Sequence, residues 1–352
     1  MHLALEIDGD GAHPTAWRRA AQPPGQLLTP ARWRTVGRAA ENAGFTLVTV
    51  NDGMLPPNST DGPVGRIGAV ERAAFVAAST SVLGIAPVVS ASYAEPFHLS
   101  SQLASLDHIS AGRAGWIVDV SPGRETARAW GRPLVPDAAA HRREARDSVR
   151  VARDLWDSWE DDAVIRDVAT SRYLDRDRLH YIDFTGDTFA VKGPAIVPRP
   201  PQGQLVVFAP AGLLPDDQVD VTLVTEPRRA GTPLTFAELE VALDTPAVTA
   251  TERVADLARH GPWPDRGRRR YTGPADGLVR LLTELAGRVD GVRLHPLVLD
   301  EDLGVLSRRV LPALSLAEVI NRPVPGASLR TTLGLHRPDN RYQPHPATGE
   351  AR

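Results

Sequence analysis

Ser105–Ser121 reads SLDHISAGRAGWIVDVS. It begins as the end of a helix, breaks at Gly112, and leaves as an apolar strand that ends on Asp119 and Ser121. A glycine between a periodic segment and a β-branched run is a helix stop followed by a strand start. The run AGWIVDV is apolar almost throughout, as in a strand buried on both faces. The stretch is therefore a helix-to-strand junction of a parallel β/α unit.

The same grammar extends upstream. HLALEI at the start of the chain reads as a short buried strand. Thr29–Gly44 predicts a helix with Thr29 as N-cap, Pro30 in the first turn and Gly44 at the stop. FTLVTVND predicts a second strand, Arg66–Ser79 a helix, SVLGIAPVV a third strand and Pro96–Ser110 a helix. Four strand–helix units in the first third of the chain favour a (β/α)8 TIM barrel over an open sheet. No GxGxxG or GK[ST] spacing supports the open alternative.

Downstream, Asp137–Trp159 predicts a long helix. Residues 160–200 read as an insertion before strand five, with a hairpin around Gly186. LVVFA, VDVTLVT, LTFAELEVAL and GVRLHP supply strands five to eight. Helices are expected near Thr251–His260, Pro274–Gly287 and Asp302–Ile320. About ten residues separate strands five and six, whereas a helical crossover needs at least about 10–12. EPRRAGTP, between strands six and seven, is also short. The expectation is a barrel with shortened crossovers after strands five and six. Residues 1–336 would form one barrel domain and 337–352 a loose tail.

Composition narrows the function. The chain has 352 residues, a formal net charge of −3 and no cysteine. Disulfides, thiolate metal sites and cysteine nucleophiles are excluded. Lys192 is the one lysine beside many arginines, a bias read as a GC-rich bacterial genome. The near-neutral charge gives no reason to expect nucleic acid, and RGRRR at Arg266–Arg270 reads as a solvated basic face. The N-terminus lacks a signal-peptide pattern and no apolar run reaches the roughly 20 residues of a membrane span. A cytoplasmic protein without a membrane partner is expected. The histidines show no HxH or HxxxH spacing, so no metal site is expected.

Several motifs converge on one family. SLDHISAGRAGW resembles the SLDHLSGGRAGWN signature of the luciferase-like flavin-dependent monooxygenases, in their nitrilotriacetate/dibenzothiophene-sulfone branch. LWDSWEDDA, GDTFAVKGP, PRPPQGQ and GASLRTTLGLHRP resemble segments of that branch in the same order. The resemblance implies a (β/α)8 barrel that takes reduced FMN from a separate flavin reductase and uses O2 to oxidise a small organic substrate. Some relatives use the deazaflavin F420 instead, and relatives tend to be homo-oligomers, dimers or tetramers.

By that resemblance, Asp52 matches the acidic end of strand two, Ser90 and Ser92 the hydroxyl cluster after strand three, and His141 the histidine of a His-x-x-x-Tyr pair. These four are the cofactor-binding candidates. The departures are as specific. Ile117 replaces the asparagine of the family's WN, Ala145 the tyrosine, and Asp119-Val120 stands at VTS. APAGLLPDD stands where the family has QAGSS and a phosphate-holding helix; Arg142 and Arg143 are candidate replacements for its donors. Strand ends carry the chemistry in a barrel, which adds Glu6, Asp119, Ser121, Glu226 and His295; Trp116 reads as barrel packing. No residue is assigned as acid or base. The alternative to a flavin-dependent monooxygenase is a non-catalytic barrel acting as a partner subunit; an F420-dependent oxidoreductase is a third reading.

Overall fold

The computed structural model describes residues 1–53, 55 and 62–343. Eight parallel strands close into a barrel: β1 (His2–Glu6), β2 (Leu47–Asn51), β3 (Gly84–Ser90), β4 (Gly115–Asp119), β5 (Val206–Pro210), β6 (Val221–Val224), β7 (Leu234–Leu243) and β8 (Gly291–Pro296). Each pairs with the next, and β8 pairs with β1 from Gly291 opposite His2. The closed TIM barrel expected from the strand order is thus present. No helix among the described residues is long and apolar enough to cross a membrane.

The helices fall near their expected places: α1 (Pro30–Ala43), α2 (Ala69–Ser79), α3 (Pro96–Ile109), α4 (Arg124–Ala129), α5 (Ala138–Asp157), α6 (Ala250–Ala258), α7 (Ala275–Ala286) and α8 (Leu299–Val305). A π-helical turn, Leu306–Val310, carries α8 on to Leu316. Thr29 precedes α1 as expected, but its hydroxyl bonds back to Gln26 and leaves the helix uncapped. The crossovers after β5 and β6 are short: one 3-10 turn, Asp216–Gln218, lies in the first, and β7 begins ten residues after Val224.

β6 has only four residues and covers the first half of β7. The second half, Leu239–Leu243, pairs instead with a ninth parallel strand, Arg269–Gly273. The arginine run read as a solvated face is therefore partly a strand. Arg268 and Arg270 turn to the carboxylates of Glu238 and Glu240, each at 2.8 Å. Polar side chains near apolar strand ends found partners that composition alone could not name.

The barrel floor explains the sequence motifs. Phe208 and Phe236 meet edge to face at 6.0 Å. They fit because Gly115 and Gly291 oppose them without side chains. Leu329 and Leu333, from GASLRTTLGL, join the same cluster. Asp107 accepts from Gln202 Nε2 (2.6 Å) and from the Ala114 amide (3.2 Å). The Gln202 side-chain oxygen accepts from the Arg330 amide. Arg113 donates to the carbonyls of Ala77, Thr80 and Leu83. These are SLDHISAGRAGW, PRPPQGQ and GASLRTTLGL held together beneath the strands, where barrels invest in stability. Trp116 is fully buried and donates to Val89 O, the packing role expected for it.

The segment after residue 336 departs from the expected loose tail. Arg337 pairs with Asp161, Asn340 donates to the carbonyls of Asp157 and Trp159, and Tyr342 stacks on His180 at 4.1 Å. Residues 337–343 thus strap the insertion to the end of α5. Residues 344–352 lie outside the described residues.

A methyl added at Gly291 would sit 2.5 Å from the Phe236 ring. Gly291→Ala is expected to cost about 1–3 kcal/mol through overpacking, read as a lower urea midpoint; an unchanged midpoint would refute this account of the floor.

Candidate functional site

A cavity of about 510 Å³ opens at the C-terminal ends of the strands, the end that carries chemistry in barrels of this class. Val88, Ile117, Pro210 and Leu223 form an apolar part of its wall. Elsewhere the wall is charged: Glu6, Asp8, Asp10, Asp119 and Glu238 against Arg66, Arg72, Arg266, Arg268 and Arg293.

Arg293 organises this wall from inside the barrel. Its guanidinium donates to Thr49 Oγ1 (2.9 Å), to Glu238 Oε1 (2.7 Å) and to Glu6 Oε2. Thr49 in turn donates to Glu6 Oε2 at 2.9 Å. Burial alone would raise the Glu6 carboxyl, but Arg293 and its hydrogen bonds hold it below the ordinary value. Glu238 is likewise buried, and the Arg293 guanidinium, with Arg268 beside it, holds it well below the ordinary carboxylate value. Asp119 lacks such a partner, and burial raises its pKa. The wall therefore holds two carboxylates, Glu6 and Glu238, kept in the charged form beside three, Asp8, Asp10 and Asp119, whose pKa burial raises.

Two histidines complete the lining. His295 is 3% exposed, and burial with the nearby Arg293 pushes its pKa down to about 4, so the ring is neutral at pH 7. Its Nε2 lies 3.4 Å from Glu238 Oε1 without an aligned hydrogen bond. In His13, Nδ1 accepts from the Thr15 amide, which puts the proton of the neutral ring on Nε2. Among the described residues that atom has no partner, and neither does Asp10 Oδ2. Burial pushes Asp10 up to about 6 against the pull of Arg32.

The four cofactor candidates lie elsewhere. Asp52 accepts from the Gly53 amide (2.9 Å) and the Ala69 amide (3.2 Å), at the start of α2. Ser92 Oγ and His141 Nδ1 are 2.8 Å apart and both buried, and Ser90 Oγ bonds the Ser92 backbone. The structure brings Ser90, Ser92 and His141 together, but neither they nor Asp52 line the cavity. Glu6, Asp119 and His295 do line it; Ser121 and the exposed Glu226 do not. Arg293, Glu238, Arg268, His13 and Asp10 were missed. Their signal was legible in part, since Glu238 and Arg293 are charges at alternate positions of otherwise apolar strands.

Flavin mononucleotide makes two separate demands, a slot for its ring and donors for its phosphate. The cavity meets the first. Its volume suits a small-molecule site, and its apolar part beside polar groups matches a ring apolar on its faces and polar at its edges. Among the described residues the second demand is not met. The link after β5 offers one 3-10 turn with Asp216 and Asp217 in it, in place of a helix N-terminus. Arg142 and Arg143 do not line the cavity.

Comparison with known proteins agrees with this geometry. Residues 12–216 match the family model described as luciferase-like monooxygenase. One of the pristinamycin IIA synthase chains of Streptomyces pristinaespiralis is 31% identical over 80% of this chain and 91% of its own length. N-acetyl-S-(2-succino)cysteine monooxygenase of Bacillus subtilis is 32% identical over 59% of this chain and 47% of its own. The chain thus spans about half the length of that relative. The solved structure of EDTA monooxygenase from Chelativorans sp. BNC1 superposes with a TM-score of 0.80 at 17% identity, covering 96% of this chain and 99% of that one, which shows the shared fold.

Arg293→Leu leaves Glu6 without its cation and Glu238 with Arg268 alone, and is expected to cost about 3–5 kcal/mol, measured by denaturant unfolding; a neutral result would remove Arg293 from the centre of the wall. His295 has a folded pKa of about 4, below its unfolded value of 6.5. The stability it confers is present above pH 6.5 and is lost as pH falls towards 4. The wild type should therefore lose melting temperature relative to His295→Gln between pH 7 and pH 5; parallel melting profiles would show that His295 is not held neutral.

Proposed function

The chain belongs to the luciferase-like monooxygenase family, and on that premise we propose that it is a flavin-dependent monooxygenase acting on a small organic substrate in the cavity above the strands. Reduced FMN would come from a separate flavin reductase, and O2 would be the second substrate. Nitrilotriacetate monooxygenase component A, whose name marks it as one part of a larger system, is 30% identical over 59% of this chain and supports a reductase partner.

One observation carries the reading. At the C-terminal rim, Asp119 is drawn up, as are Asp8 and Asp10, while Glu6 and Glu238, on the same wall, are drawn down, and Asp119 is the raised one that ends a barrel strand. Divergent carboxyl pKa values in one site separate a group that moves a proton from one that supplies fixed charge. When bound, the flavin supplies the oxygen chemistry. The chain's own part is narrower. The apolar residues seat a flat ring, Glu6 and Glu238 hold Arg293 in place, and Asp119 holds or releases a proton at its carboxyl.

A second reading, a non-catalytic barrel serving as a partner subunit, is favoured by the missing phosphate cradle after β5. Oxygen consumption with reduced FMN, measured as the difference that the purified chain makes to the oxidation of free reduced FMN in the same buffer, separates the two. Asp119→Asn is expected to lower turnover by about a hundredfold or more with flavin binding kept. Unchanged turnover would leave Asp119 without a role in proton transfer, and no flavin binding by the wild type would favour the second reading.

A further inference from the structure

Phosphate is held in proteins by unpaired helix N-termini or by free cations, and among the described residues the rim of this barrel offers no open helix start and one unpaired arginine. The carboxylate of Asp52 takes the first amide of α2. Glu95 takes the amides of Phe97 and His98 at the start of α3, and Asp137 that of Ala140 in α5. At α6, Asp244 and Glu252 occupy the entrance, and Asp302 accepts the Val298 amide before α8. The α1 and α7 starts have no side-chain cap, but residues 29–32 and 274–277 do not line the cavity. α4 has six residues with Glu125 in its first turn.

The cations are committed in the same way. Arg72 and Arg66 face Asp8, Arg268 faces Glu238, and Arg293 lies between Glu6 and Glu238. Arg266 is exposed at the rim and forms no ion pair among the described residues. A single solvated guanidinium contributes little to ion pairing. A phosphate dianion entering here would meet carboxylates at the helix starts and on the wall.

We propose that the cavity selects its flavin by the uncharged isoalloxazine and ribityl parts and makes no productive contact with the 5′-phosphate, so that riboflavin and FMN bind alike. The inference rests on the flavin reading above and narrows it to the part of the molecule that is recognised. Its consequence is a cofactor held loosely and without an electrostatic anchor.

Trp17 and Trp33 line the cavity, so quenching of their fluorescence reports occupancy directly. The full chain would be titrated with riboflavin and with FMN, oxidised and, under anaerobic conditions, reduced, at low and high salt. The expected result is two dissociation constants within about threefold of each other and insensitive to salt. FMN tighter than riboflavin by about tenfold or more, or an FMN affinity that collapses with salt, would overturn the proposal while leaving the flavin reading intact. Arg266→Gln is expected to leave FMN affinity unchanged; a drop of about tenfold would place the phosphate on Arg266 and refute it too. Binding of neither flavin would overturn both.

Discussion

Arg293 carries a permanent charge into the interior of a barrel, where the cost of leaving water is several kcal/mol unless partners are built in. Those partners come from different strands: Glu6 from β1, Thr49 from β2, Glu238 from β7. A one-residue slip of any of them would turn its side chain to the other face of the sheet and strand the guanidinium. The charge cluster therefore ties the register of four neighbouring strands together at the seam where the barrel closes. It also sets the chemistry of the cavity, since the same guanidinium keeps two carboxylates ionised and adds to the burial that keeps a histidine neutral.

The two ends of the barrel answer to different requirements. At the floor, Asp107, Gln202 and Arg330 satisfy one another and the backbone around them. Burial lifts Asp107 to about 6 even with those bonds, which marks how dry the position is. At the rim, carboxylates occupy helix starts and arginine is balanced against acid. The motifs that identify the family lie mostly at the floor. A sequence can keep them all and still rebuild the rim, and here Ile117 and Leu223 present carbon to the cavity.

The fold was legible because its evidence is periodic and additive. Apolar runs marked the strands, and loop arithmetic found the stunted crossovers. The cavity wall was legible only where a strand end coincided with a titratable residue, as for Glu6, Asp119 and His295. Asp52, Ser90, Ser92 and His141 are polar residues at fitting positions, yet their hydrogen bonds are spent on one another or on backbone amides. A sequence shows which groups can bond but not which partners claim them first. Glu238 and Arg293 were hidden for the complementary reason: each resembles a surface charge until the strands on either side are known.

The floor clamp bears on how the chain is made. Asp107 meets Gln202 across 95 residues, and Gln202 meets Arg330 across another 128. The first strand pairs with the last, His2 beside Gly291. Contacts so distant in sequence pay their loop-closure entropy before they return any stability. During synthesis the first strand keeps an unpaired edge until Gly291–Pro296 has emerged, and the base stays unsealed until Leu329 and Arg330 follow. The span between the first strand and the last turn is thus a period of exposure for the nascent chain, and its length is set by where in the sequence the plug is encoded.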